Sequence, residues 1–126
     1  MSTKVHLKEV HAEIIEWKSQ VAFSIDELKV FKTQLTEVLG RNNSAEFSAL
    51  GEHFENQLRL QHEAFDDLAD ELQLADETIA LRAGHNGSAD HVLIDKNPVL
   101  QDKVQTAIRI YSELKVEFRA FEVKWF

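Results

Sequence analysis

The sequence predicts an all-α fold, a long antiparallel bundle of three main helices at about 3–40, 44–83 and 98–125, forming one domain over residues 1–126. Three observations carry this expectation. Apolar residues recur at alternating steps of three and four along three stretches, the spacing that lines up one face of a helix. The first two stretches match each other when the chain folds back between Gly40 and Asn43. There are only one proline and four glycines in 126 residues, and both types disfavour helix interiors.

Helix 1 carries the stripe Leu7, Val10, Ile14, Trp17, Val21, Leu28, Phe31, Leu35 and Val38, with one gap at Ser24. From about Thr3 to Gly40 it would span nearly 60 Å at about 1.5 Å per residue. Gly40 is the expected stop, since glycine adopts the left-handed conformation cheaply. Asn43 or Ser44 then caps helix 2, and Asn43 with Glu46 has the spacing of a capping box. The second stripe is Phe47, Phe54, Leu58, Phe65, Leu68, Leu72, Ala75 and Ile79, with Gly51 and Gln61 as exceptions. Gly84, after Ala83, is the expected end of this helix.

Folding back at Gly40–Asn43 sets Val38 against Phe47, Phe31 against Phe54, Trp17 against Leu68 and Val10 against Ala75. The same register sets Ser24 against Gln61, so two separate interruptions fall in one layer. Residues 84–97 form the one long irregular stretch, with room for a short helical turn near 88–95 capped by Ser88. Pro98 suits the first position of helix 3, with Asn97 as its cap. The third stripe is Leu100, Val104, Ala107, Tyr111, Leu114, Phe118, Phe121 and Trp125. Helix 3 is expected antiparallel to helix 2 and parallel to helix 1. That topology resembles spectrin-like three-helix repeats in helix order alone, without a motif specific to them. Strand signals are weak, because no clean period-two alternation lies between turn residues.

Composition excludes several function classes. A net charge of −8 and the lack of a Lys/Arg cluster argue against a nucleic-acid surface. The same charge opposes an anionic membrane, and no run of eighteen apolar residues is present to span one. Met1-Ser2-Thr3-Lys4 lacks the apolar core of a signal peptide. With no cysteine there is no disulfide, thiolate nucleophile or thiolate metal site, and a cytoplasmic protein is expected.

Candidate chemistry is sparse. His6, His11, His53, His62, His85 and His91 include one pair on a shared helix face, His62 with Asp66 four residues on, half of a metal site at most. The paired Glu-x-x-His elements of a di-iron bundle are missing. His53 or His62 as a phosphoryl acceptor lacks a nearby lysine and glycine, and Glu63 and Asp66 would repel a phosphate. Asp66, Asp67, Asp70, Glu71, Asp76 and Glu77 spread around a helix and read as a solvated face. No Gly-rich phosphate loop or nucleophile elbow occurs. No catalytic residue, cofactor or metal is therefore expected, and the protein reads as a non-enzyme.

Three features remain. Ser24 and Gln61, joined by Tyr111 of helix 3, form a buried polar layer, read either as a register device or as a polar site in the core. An aromatic-rich end gathers Phe31, Phe47, Phe54, Phe118, Phe121 and Trp125, read as core filling or as a pocket for a small apolar ligand, with Gly51 leaving room for a ring. Phe23 and Val30, then Leu60, Leu74 and Leu81, then Val116 and Val123 lie off the stripes at multiples of seven and form a candidate association face. The expected function is a cytoplasmic interaction or scaffold protein acting through helix faces, with a protein partner or a second copy bound there. The alternative is a small-ligand or metal-binding helical bundle. No nucleic-acid or membrane partner is expected.

Overall fold

A computed structural model describes residues 4–42, 44–86, 93–95 and 97–126. Three long helices make up nearly all of it: α1 over Leu7–Leu39, α2 over Ala45–Asn86 and α3 over Pro98–Trp125. Their lengths are about 50, 63 and 42 Å at 1.5 Å per residue. A three-residue strand, β1 over Lys4–His6, precedes α1 and pairs antiparallel with β2 over Leu93–Asp95, with Val5 opposite Ile94.

The stripes read from the sequence are the core. Leu7, Ile14, Val21, Leu28 and Leu35 from α1 meet Phe47, Leu58, Phe65 and Leu72 from α2, all nearly sealed from solvent. Leu100, Val104, Tyr111, Leu114, Phe118 and Phe121 close the core from α3. Trp17, Val38, Ala75, Ala107 and Trp125 are partly buried at its margin.

α1 and α2 pack antiparallel as expected, but their contacts lie up to about one turn off the expected register: Gly51 of α2 meets Leu39, although Val38 was expected against Phe47. His11 Nδ1 lies 2.8 Å from Asp76 Oδ1. Lys18 Nζ donates to Gln73 Oε1 at 2.8 Å and stands 3.5 Å from Asp76 Oδ2. The antiparallel course of α3 along α2 is marked by Lys103 Nζ donating to Glu71 at 3.1 Å near one end and by Lys124 near Glu46 at 3.7 Å at the other.

Capping follows local chemistry, with corrections. Asn97 Oδ1 accepts from Leu100 N at 2.9 Å, and Pro98 opens α3 as expected. Ser44 Oγ accepts from Phe47 N at 3.2 Å and is the cap of α2; the Asn43 alternative lies outside the described residues. Gly40 does end α1, but at φ −72°, in the right-handed region. The turn closes through Gly40 N to Thr36 O and Arg41 N to Val38 O, so no left-handed residue is needed there.

Three boundaries differ from expectation. Helix 1 starts at Leu7 and not near Thr3, because Lys4–His6 give their backbone groups to the strand ladder. Helix 2 continues through Gly84 to Asn86, since one glycine costs only about 1 kcal/mol in a long helix. The helical turn expected near 88–95 is replaced at Leu93–Asp95 by strand β2, and its remainder lies outside the described residues.

Candidate functional site

The aromatic end forms by packing at the α1–α2 turn. Phe118 sits between Phe31 and Phe54, with ring centroids 5.1 and 5.5 Å away. Phe47 stacks on Phe121 at 5.5 Å with an interplanar angle of 8°, and Trp125 tilts against Phe47 at 5.3 Å. Edge-on and offset rings at these distances are favourable packing, so the cluster fills its own space. Gly51 does not admit a ring. A Cβ there would collide with the Leu39 side chain, so the missing side chain lets Leu39 of α1 lie against the α2 backbone.

The polar layer is not one hydrogen-bonded group. Ser24 is 7% exposed, and its hydroxyl donates to the Gln20 carbonyl of its own helix at 2.9 Å. Gln61 Oε1 is buried with no hydrogen-bond partner among the described residues. Tyr111 turns elsewhere: its hydroxyl donates to Glu27 Oε1 at 2.5 Å, and its ring meets Phe65 edge-on at 5.6 Å. Lys115 Nζ donates to the same Glu27 oxygen at 2.9 Å. Burial acts to raise the Glu27 carboxyl, but the hydrogen bonds from Tyr111 and Lys115 and the charges of Lys115 and Arg119 outweigh it and hold the group below the usual glutamate range. The Tyr111 phenol is pushed well up, first by burial and then by its bond to the Glu27 carboxylate. This tie was missed in the sequence because Glu27 is one acid among many on a polar flank.

A cavity of about 470 Å³ lies at the other end of the bundle, where α3 begins. Asn97 and the first turns of α3, through Val99, Leu100 and Lys103, bound it on one side. Val10, Ile14 and Trp17 of α1 line the cavity with Ala75 and Ile79 of α2 and Leu100 of α3. Glu13, Glu71, Arg82 and Lys103 stand around it, two charges of each sign, and Leu74 and Val99 form part of its lining.

The seven residues of the candidate association face are all exposed, from 48% for Leu60 to 87% for Val123. Their positions relate to α3. Glu27 reaches α3, and Phe23 and Val30 stand four residues before and three after it, on the same flank of α1. Glu71 also reaches α3, and Leu74 stands three residues beyond it, with Leu60 and Leu81 on the same line. Val116 lies midway between buried Leu114 and Phe118, so it points away from the core, and Val123 repeats it one heptad on. Exposed Val99 and Ile110 belong to α3 itself. Ile15, four residues past His11 on the flank that meets α2, is the exception.

His62 and Asp66 face each other at 3.6 Å on the surface of α2. Among the described residues, no group of three or more His, Asp or Glu side chains could hold a metal ion. No helix among them is long and apolar enough to cross a membrane. Comparison with family models, curated proteins and solved structures finds no match.

Proposed function

We propose that this chain is a non-enzymatic protein–protein interaction module that works through the side of the bundle carrying α3, and that a second copy of the chain is the first partner to test. One observation supports this reading. The three stripes bury one another within one chain, yet large apolar side chains still crowd α3 and both flanks beside it: Phe23, Val30, Leu74, Leu81, Val116 and Val123. Scattered exposed apolar residues are ordinary, whereas a set gathered on one side marks a surface that gains by being covered. The same reading assigns the protein to the cytoplasm, a reducing compartment that suits a chain without cysteine.

Sedimentation at micromolar concentration tests the proposal, comparing the wild-type chain with a Val116→Glu, Val123→Glu double variant. Both sites are exposed on α3, and glutamate is a good helix former, so the fold is retained. The wild type is expected to associate and the variant to sediment as a monomer. Each chain carries a charge of −8, so association should strengthen as salt screens the repulsion. A wild-type chain that stays monomeric at all salt concentrations removes self-association.

A further inference from the structure

We infer that the cavity at the start of α3 is a binding site for an uncharged, mainly apolar small molecule of two or three rings. The inference rests on the cavity and not on the outer face.

Size comes first. Ligand clefts commonly fall between about 300 and 1,000 Å³. This one has about 470 Å³. The space is a half-open cleft, and its volume accommodates a molecule of two or three rings.

The lining sets the chemistry. Val10, Ile14, Ala75, Ile79 and Leu100 offer aliphatic carbon, and Trp17 adds an indole face that is only partly buried. Such a surface gains by removing an apolar molecule from water. The four charged residues balance in sign, and Lys103 already donates to Glu71 at 3.1 Å. A charged ligand would therefore meet no net opposite charge and would lose its own hydration. The excess of negative charge over the whole chain further disfavours an anion. Thr78 and Asn97 stand at the margin, where a hydroxyl or carbonyl group of the ligand finds polar neighbours.

The location explains why the space exists. The aromatic rings of the three stripes are concentrated at the opposite end, where α3 is held tightly between Phe31, Phe54 and Phe47. Toward its start, α3 presents Leu100 and Val104, and the space between α1 and α2 is lined by aliphatic groups, Ala75 and the one ring of Trp17. The bundle is thus wedge-filled at one end and underfilled at the other.

An uncharged solvatochromic naphthalene, 6-propionyl-2-dimethylaminonaphthalene, tests the site on the full chain. A Trp125→Phe background leaves Trp17 as the one tryptophan donor. Saturable binding in the micromolar range, a blue-shifted probe emission and energy transfer from Trp17 are expected. Ala75→Phe fills the space from a partly buried lining position, and Thr78→Phe crowds it from an exposed helical position that does not disturb the core. Each variant, with helicity checked by circular dichroism, should weaken binding at least about tenfold. Val116→Glu on the outer face should leave it unchanged. The inference is overturned if the wild type shows no saturable binding, if Thr78→Phe binds as well as wild type, or if Val116→Glu abolishes binding, which would place the probe on the outer face.

Discussion

The Tyr111 hydroxyl donates to the Glu27 carboxylate at 2.5 Å, and through this bond α3 is tied to α1 at mid-bundle. The two residues are 84 positions apart. Lys115, one turn beyond Tyr111, adds a second donor to the same oxygen, so one carboxylate serves two side chains of the neighbouring helix.

Removing the phenol should therefore cost more than a surface hydrogen bond. Tyr111→Phe keeps the ring against Phe65 and deletes only the donor. A hydrogen bond to a charged group contributes about 1.5–3 kcal/mol, and partial solvation of Glu27 by Lys115 and water reduces this to roughly 1–2 kcal/mol. Urea denaturation of the wild type and the variant measures it; equal midpoints would show that the tie contributes nothing.

The same carboxylate predicts an acid limb. The Glu27 value is depressed in the folded chain, so its contribution is full above the unfolded value of about 4.3 and is lost as pH falls through the folded value. Stability measured from pH 7 downward should fall in that window. In Glu27→Gln the fall should be shallower, while stability at pH 7 is already lower.

The polar layer gives a prediction of opposite sign. Gln61 Oε1 is buried without a partner among the described residues, while Ser24 is satisfied by its own helix. Gln61→Leu should therefore stabilise the bundle by about 1–3 kcal/mol, the cost of leaving a buried acceptor unpaired. A destabilised Gln61→Leu protein would instead point to a bound water or ligand at this layer.

Gly51 and Leu39 should be coupled. Alanine at 51 gains about 1 kcal/mol in helix propensity but must displace the Leu39 side chain. Overpacking of this kind costs roughly 1–3 kcal/mol, so Gly51→Ala alone should be neutral to destabilising. In a Leu39→Ala background the collision is gone, and the same change should stabilise. A double-mutant cycle with no coupling would contradict the contact.

The hairpin register can be read by crosslinking. Cysteines replacing Val10 and Ala75 test the expected register, in which the two face each other and should oxidise to a disulfide. Cysteines replacing Val10 and Leu68 should not, because Leu68 lies about 10 Å further along the axis.

The three helices, the stripe each one buries and the antiparallel order of the bundle are written in the residue pattern. These follow from periodicity, which is a local property: Leu7 to Leu35 and Phe47 to Ile79 declare their buried faces without reference to any partner. The cap at Asn97 was legible for the same reason, since a cap is settled within three residues, while the choice between Asn43 and Ser44 for α2 was left open. Tertiary structure alone decided the rest. The pairing of Lys4–His6 with Leu93–Asp95 joins segments far apart in the chain, and three residues are too few to show an alternating pattern. Whether Tyr111 would turn to Ser24, Gln61 or Glu27 depended on the rotation of α3, which the stripe constrains only to within a broad arc. The apolar residues at steps of seven were visible as an exposed set, but their gathering around α3 required the contacts of Glu27 and Glu71 to orient each helix. The cavity, too, lies at the opposite end from the aromatic cluster, because a cavity is a mismatch between side-chain volumes and helix spacing. Periodicity says which residues face inward and does not say how well they fill the space between backbones.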